Sequence, residues 1–352
     1  MAVDSGSGSR ELHYLALLAP GTPLRDGFER ILRGRTGALV VLGDTPEVLA
    51  LCTGGFELDV PYTPTSLREL AKMDGGIVMT SDLSRIVRAG VQLMPDPQVE
   101  TLETGTRHRT ADRVSRQTSI PVATVSASMS TIAVFIDGRR RPLGTTDQIL
   151  SRANQALQTL ERYRERLWQV TGRLSNLEIE DQVTIRDVVV VAQRLEMIRR
   201  LERELSEYVI ELGTDGRLLN LQLHELAAGL DDLGELLELD YRPEGSELRF
   251  AQLSELSTTS LLEPLDVARA LGFLTHLDTK VTTRGHRQLA QINRLPTAYS
   301  VRLIEHFGNL QGVFAATTTE LQEVEGVGES RARIIREGLT RLAESIYSDR
   351  LA

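Results

Sequence analysis

Within Gly105-Thr106-Arg107-His108-Arg109-Thr110 the chain places two guanidiniums, an imidazole and two hydroxyls. That set suits phosphate, because arginine forks bind phosphate oxygens in pairs. The following residues, Ala111-Asp112-Arg113-Val114-Ser115-Arg116-Gln117, contain no helix breaker, so a helix is predicted with Thr110 as its N-cap. The free N–H groups and positive dipole end of such a helix favour an anion. Pairing of both arginines with surface carboxylates would account for the same residues without a ligand.

A second cluster, Leu321-Gln-Glu-Val-Glu-Gly326-Val-Gly328-Glu-Ser-Arg331-Ala-Arg333-Ile-Ile, reads as helix, Gly-Val-Gly hairpin and helix. Gly326 and Gly328 let the backbone turn tightly and approach a ligand, and Arg331 and Arg333 fall in the first turn that follows. This is how a helix-hairpin-helix element grips a DNA backbone without reading sequence. Upstream, Ile292 to Gly308 resembles a degenerate partner hairpin, with Pro296 where glycine is expected. A plain helical turn fits the Gly-x-Gly as well. A dinucleotide-binding reading fails, since no strand precedes the glycines.

The elements that must position these clusters fall into three regions. From Glu11 to about Gly144, helix and strand alternate: a helix over Pro23 to Leu32, then short β-rich runs at Ala38 to Leu42, Val48 to Cys52, Gly76 to Met79, Val122 to Val125 and Thr131 to Ile136. Helical stretches at Ser66 to Lys72 and Thr110 to Gln117 lie between them. Runs this apolar predict strands buried on both faces, hence an α/β sheet covered by helices. From Leu150 to about Leu212, Ala153, Leu160, Leu167 and Leu174 recur at heptad spacing, and Val188, Val191, Leu195, Ile198, Leu205, Val209 and Leu212 mark a second stripe. Two long amphipathic helices follow, packed together or against another subunit. Leu218 to Gly285 continues helical, with Pro243 and Gly245 at a looser joint. The predicted domains are residues 1–146, 147–284 and 285–352.

At 352 residues the chain can hold two or three cores. One cysteine, Cys52, excludes an internal disulfide and any Cys-x-x-Cys site, which fits a cytoplasmic protein. The polar start, Met1 to Ser9, reads as flexible, and Leu15 to Ala19 is too short for a signal core. No apolar stretch approaches the ~20 residues of a membrane span. The net charge of −9 argues against wholesale nucleic-acid coating, yet residues 281–352 carry nine Arg against eight Asp or Glu. A local patch there can still bind DNA. No phosphate loop with Gly-Lys-Ser/Thr, no His-Glu-x-x-His and no Gly-x-Ser-x-Gly occurs, which removes P-loop, zinc-hydrolase and nucleophilic classes. Phosphate chemistry or plain binding remains.

Several separated blocks then match one family: Leu70-Ala-Lys-Met-Asp74-Gly75, Val91-Gln-Leu93-Met-Pro-Asp96, Gly105 to Arg113, Ile149 to Gln155, Met197 with Arg199-Arg200, and Glu211 to Arg217. Over nearly its full length the chain resembles the DNA integrity scanning family of diadenylate cyclases, which join two ATP molecules into cyclic di-AMP. The resemblance implies a mixed-sheet α/β cyclase domain, a helical spine and a C-terminal helix-hairpin-helix domain. It implies that Asp74 sits beside the ribose 3′-hydroxyl and holds Mg2+ or Mn2+. Gly75 and Gly76 would lie against the nucleotide, and Leu93 would meet the adenine edge through its main chain. Gly105, Thr106, Arg107, His108, Arg109 and Thr110 would hold the triphosphate, and Ser126 and Ser128 would contact phosphates. The partners implied are branched DNA, bound through the tail, and further copies of the chain in an octamer.

Where the family usually has alanine, this chain has Gly76, whose extra backbone freedom could loosen the site by up to ~1 kcal/mol. The competing expectation is a DNA-binding scaffold whose nucleotide domain senses ATP or cyclic di-AMP without catalysis. Asp74 together with an intact Arg107-His108-Arg109 favours the enzyme.

Overall fold

A computed structural model describes residues 5–242 and 250–349; the joint expected at Pro243 and Gly245 lies outside them, as do residues 1–4. In chain order the N-terminal elements are α1 (Ser5–Leu17), α2 (Pro23–Arg33), β1 (Ala38–Leu42), α3 (Pro46–Ala50), β2 (Cys52–Thr53), β3 (Phe56–Pro61), α4 (Pro64–Leu70), β4 (Gly76–Met79), β5 (Arg85–Leu93), α5 (Thr106–Thr118), β6 (Val122–Ser126), β7 (Thr131–Ile136) and β8 (Arg139–Leu143). Two long helices, α6 (Thr146–Ile179) and α7 (Ile185–Leu212), follow, then α8 (Arg217–Ala227), α9 (Leu230–Tyr241), α10 (Thr258–Leu262) and α11 (Pro264–Ala270). The last five are α12 (His286–Leu289), α13 (Thr297–Phe307), α14 (Leu310–Ala315), α15 (Thr318–Leu321) and α16 (Glu329–Asp349).

The chain forms two compact units, Met1–Gln155 with Ser206–Leu221, and Ala156–Leu205 with Gln222–Ala352. In the first, a sheet runs β2-β5-β4-β1-β6-β7-β8, with β3 also on β5. Only β1 and β4 are parallel; the other pairs are antiparallel. The pleat of β1 sends Ala38, Val40 and Leu42 to one face and Leu39 and Val41 to the other. On the first face they pack with Leu24, Phe28 and Ile31 of α2. On the second they pack with Ala111 and Val114 of α5. Phe28 is fully buried, a burial worth about 1.5–3 kcal/mol. The start of α2 follows from its sequence: the Thr22 hydroxyl accepts the Arg25 N–H, and Pro23 supplies a preset φ.

Four expectations change. Val48 to Cys52 is not a strand: Pro46 opens α3, which ends at Ala50, and only Cys52–Thr53 pairs in the sheet. An apolar run of five carries no period of its own, and the proline at the first turn decides it. Helix α5 starts at Thr106, not after Thr110, with Gly105 as N-cap. The polar N-terminus is helical from Ser5 onward. Between Gly272 and Gly285 no helix forms among the described residues, so the helical run expected to Gly285 stops at α11. The sequence reading also overlooked β3, β5 and β8, whose exposed or charged residues disguise edge positions and, in β5, a bulged register.

The heptad positions Ala153, Leu160, Leu167 and Leu174 are all buried, as are Val188, Val191, Leu195, Ile198, Leu205 and Leu212. In the second unit a buried polar network fixes the ends of α6 and α9 to the start of α12. Glu178 accepts from Arg287, from Gln288 at 2.6 Å and from the Tyr241 hydroxyl, and Arg287 also donates to Ser175 at 3.0 Å. Asp240 accepts the N–H groups of Gly285, His286 and Arg287 at 2.7, 2.6 and 2.9 Å, satisfying the first turn of α12.

Burial, with the Glu178 charge beside it, pushes the Asp240 carboxyl up to about 7. In the unfolded chain the same group titrates near 3.9. Between those values the folded chain holds a proton that the unfolded chain has released. The contribution to stability is therefore complete below about pH 4 and is lost as pH rises through about 7. Denaturant titrations of wild type and Asp240→Asn should show the difference in stability between them changing over this window; parallel profiles would refute the shift.

Candidate functional site

The strand registers bring one end of the sheet together. Val40 pairs with Ile77 in the parallel β1–β4 ladder, so both strands begin at the same end of the sheet, β1 just after Gly37 and β4 just after Asp74 and Gly75. Ala38 pairs with Val125 across β1–β6, so Gly37 also lies next to Ser126, and Ser126 pairs with Thr131 of β7. On the other side Gly76 pairs with Val91, so β5 runs past the start of β4 and ends at Leu93. Asp74, Gly75, Gly76, Leu93, Ser126 and Ser128 thus share one edge.

Helix α5 delivers its first turn to the same edge. A Cβ on Gly37 would collide with the Arg107 guanidinium, so glycine there makes room for the arginine. Gly105 offers no side-chain cap, which leaves the N–H groups of the first turn without a partner from the cap. Arg107 and Arg109 are exposed, and neither side chain has a hydrogen bond or ion pair among the described residues. Asp74 is likewise exposed and free of partners among them. Thr110 lies one turn further on; its hydroxyl donates to the Thr106 carbonyl at 3.0 Å instead of capping the helix.

His108 is half-buried over Phe135, their ring centroids 6.1 Å apart. Burial lowers its pKa, and the nearby Arg140 and Arg107 charges lower it further against the pull of Glu103. The imidazole is therefore biased to its neutral form, and the cationic charge resides on the arginines. Other arginines serve the scaffold. Arg113 donates to the carbonyls of Val99 and Pro97, each at 2.9 Å, and Gln117 accepts the Asp96 N–H at 2.9 Å. Arg140 pairs with Glu103 at 3.4 Å. Together they hold the segment between β5 and α5 on the helix.

The remaining polar groups converge on this edge. Ser126 is buried, with its Oγ 3.3 Å from that of exposed Ser128 and accepting the Met129 N–H at 3.4 Å. Opposite Ser126, the Thr131 hydroxyl is buried with no partner. An unpaired buried hydroxyl costs about 1–3 kcal/mol until a ligand or water bonds it. The Met94 N–H donates to the Leu51 carbonyl at 2.9 Å, making Cys52–Leu93 a non-hydrogen-bonded pair. The main-chain groups of Leu93 consequently point away from β2, toward the side where β4 begins. Sequence reasoning missed Gly37 and Thr131, because only strand register brings them here.

The two glycines after Asp74 differ. Gly75 has φ +108°, and a Cβ there would stand 2.7 Å from Gly90 C and Val91 O, both backbone. Gly76 has an ordinary strand conformation, and its Cβ would touch only side chains, nearest Leu93 Cδ1 at 3.0 Å. Glycine is obligatory at the first position and replaceable at the second.

No three His, Cys, Asp or Glu side chains group to hold a metal among the described residues. Asp74 supplies one hard oxygen donor, which suits an ion that keeps waters and binds substrate phosphates. The residues present fit a divalent ion brought in with a nucleotide, not a resident one.

In the tail, two hairpins repeat one geometry. Leu295 N–H bonds the Ile292 carbonyl at 3.2 Å in the first, as Val327 N–H bonds Val324 at 3.0 Å in the second. Tyr299 N–H bonds Pro296 at 2.9 Å, as Arg331 N–H bonds Gly328 at 3.0 Å. Both hairpins share one core through Leu289, Ile292 and Leu295, and Leu321, Val324 and Val327. Arg331 donates to the Gly326 carbonyl and stacks over Tyr299, 3.9 Å from the ring centre. Arg333 pairs with Glu329 at 3.2 Å. Gly326, with φ +82°, and Gly328 form the second turn as expected from the sequence.

Residues 25–140 match a family model described as the DisA bacterial checkpoint controller nucleotide-binding domain, and residues 143–279 match the linker region of the same controller. The DNA integrity scanning protein DisA of Streptomyces coelicolor is 59% identical over 346 residues, covering 96% of this chain and 92% of that protein. Its namesake in Frankia alni is 58% identical over 344 residues, covering 96% of both. Among solved structures, DacA from Staphylococcus aureus is 20% identical, with TM-score 0.28 over 39% of this chain and 90% of that one. A hypothetical membrane spanning protein from Bacillus cereus is 22% identical, with TM-score 0.32 over 35% and 62%. In the present chain no described helix is long and apolar enough to cross a membrane.

Gly75→Ala should destabilise the chain by more than ~1–2 kcal/mol, since a left-handed conformation and a backbone collision coincide. Gly76→Ala should change stability by less than ~1 kcal/mol, with Leu93 shifting slightly. Equal losses in chemical denaturation would contradict this division.

Proposed function

Since the chain belongs to the DNA integrity scanning protein family, we propose that it condenses two ATP molecules into cyclic di-AMP and two pyrophosphates. The reading is supported by Arg107 and Arg109, unpaired among the described residues at an open helix N-terminus, with Arg107 against Gly37 before β1, and by Asp74, likewise unpaired, just before β4 at the same end of the sheet. The arginines and first-turn N–H groups bind the triphosphate, and Ser126, Ser128 and the Thr131 hydroxyl donate to its oxygens. Leu93 offers its main chain to the adenine edge. Asp74 accepts toward the ribose 3′-hydroxyl. In each of two steps a 3′-oxygen bonds the α-phosphorus of the other ATP, the α–β bridging bond breaks, and pyrophosphate leaves with the electron pair. The hydroxyl proton passes to solvent. Charge builds on phosphate oxygens, where fixed guanidiniums stabilise it most. A bound Mg2+ or Mn2+, held by Asp74 and the phosphates, would lower the hydroxyl pKa and neutralise charge.

One chain presents one such edge, while the product needs two nucleotides reacting head to tail. The active form is therefore an oligomer in which two edges face each other, within an octamer as the family resemblance implies. The tail is read as a pair of helix-hairpin-helix elements that bind branched DNA through its backbone. Its duplicated turns and shared core support that reading.

Asp74→Asn and Arg109→Ala should each lower turnover by about 10²–10³ in an assay of ATP, Mg2+ or Mn2+ and chromatographic product detection. Undiminished synthesis by Asp74→Asn would remove the proposed role of this carboxylate. A wild-type chain that binds ATP but forms no cyclic di-AMP would leave the nucleotide-sensing scaffold as the better account.

A further inference from the structure

The two hairpins of the tail have the same geometry and opposite charge. Residues 281–304 contain Arg284, Arg287, Arg294 and Arg302 with no Asp or Glu, whereas residues 305–352 hold five Arg against eight acids. The first stretch is thus +4 and the second −3. Around the Gly-Val-Gly turn stand Glu320, Glu323, Glu325 and Glu329. Four carboxylates thus flank that turn in sequence, against the two guanidiniums of Arg331 and Arg333.

The guanidiniums near the second hairpin are also engaged. Arg331 is bonded to the Gly326 carbonyl and stacked on Tyr299, Arg302 donates to the Glu325 carbonyl at 2.9 Å, and Arg333 pairs with Glu329. Elsewhere in the basic stretch, Arg287 is buried against Glu178, and Arg284 donates to the carbonyls of Leu239 and Arg242. Arg294 is different. It is exposed at the tip of the first hairpin, and no hydrogen bond or ion pair engages its side chain among the described residues. It occupies the place that Gly326 holds in the second hairpin, with φ +66° against +82°. An L-residue in that region is strained by roughly 1 kcal/mol where glycine would not be.

We infer that the first hairpin, through Arg294 and its uncapped neighbour turn, is where the tail engages nucleic-acid phosphates, and that the Gly-Val-Gly hairpin is its structural counterpart. The inference rests on the reading of the tail as a DNA-backbone binder and reassigns the contact within it. Arg331 then stabilises the second turn instead of touching DNA. The ligand class is a polyphosphate backbone: a single exposed arginine has no partner groups with which to read base edges.

The test is fluorescence anisotropy of a labelled four-way junction titrated with full-length wild type, Arg294→Gly and Arg333→Ala over a range of salt. Arg294→Gly keeps the left-handed turn and relieves its strain, so its melting temperature should not fall. It should nevertheless weaken binding about five- to tenfold at ~0.1 M salt and reduce the salt slope by about one. Arg333→Ala should change neither. Loss of affinity in Arg333→Ala with none in Arg294→Gly would overturn the inference and leave DNA binding by the tail intact. A wild-type chain showing no salt-sensitive binding would remove the DNA reading itself.

Discussion

An uncompensated positive charge organises the first unit. The opening turn of α5 carries open N–H groups and two guanidiniums that no carboxylate offsets among the described residues. Like charges held this close repel, and a chain evolved for stability alone would place Asp or Glu in that first turn. None is present there. The surrounding structure supports the imbalance. Arg113 and Gln117 tie the preceding segment to the helix, and Gly37 clears the space that Arg107 occupies. On the proposed function, the stability forgone at the turn becomes affinity for the triphosphate.

The same residue type does opposite work a short distance away. Arg113 spends its donors on two carbonyls, Arg116 on Asp112 and Gly138, and Arg140 on Glu103. These engaged guanidiniums are struts, while Arg107 and Arg109 have no partner among the described residues. His108 stands between the classes: half-buried over Phe135 and biased to its neutral form, it does not add to the repulsion. Such sorting by partner is invisible in a string of letters, where every arginine reads alike.

What the sequence does reveal follows from period and breakers. The apolar runs of β1, β4, β6 and β7 appear as buried strands because both faces are covered, and the heptads of α6 fall on its buried stripe. Edge strands such as β8, with its run of arginines, carry no such signal. The cationic and hydroxyl residue types of the candidate site were legible in the Gly105 to Thr110 hexapeptide, but their geometry was not. The helix begins at Thr106, so the arginines lie in its first turn and the N–H groups beside them are the open ones. Gly37 and Thr131 reach the site through strand pairing between residues distant in sequence, which local reading does not capture.

The tail shows where glycine misleads. Gly326 and Gly328 draw attention because glycine permits tight turns, yet a turn needs only its dihedral angles, and Arg294 with Pro296 adopts an equivalent one. Permissive backbone therefore identifies a fold element, not a contact. Charge separates the two hairpins. The glycine turn sits among carboxylates with its arginines engaged, whereas the strained turn holds a free guanidinium in a stretch without acids. Tyr299 joins them physically: it lies on α13, after the first turn, and its ring supports Arg331 of the second.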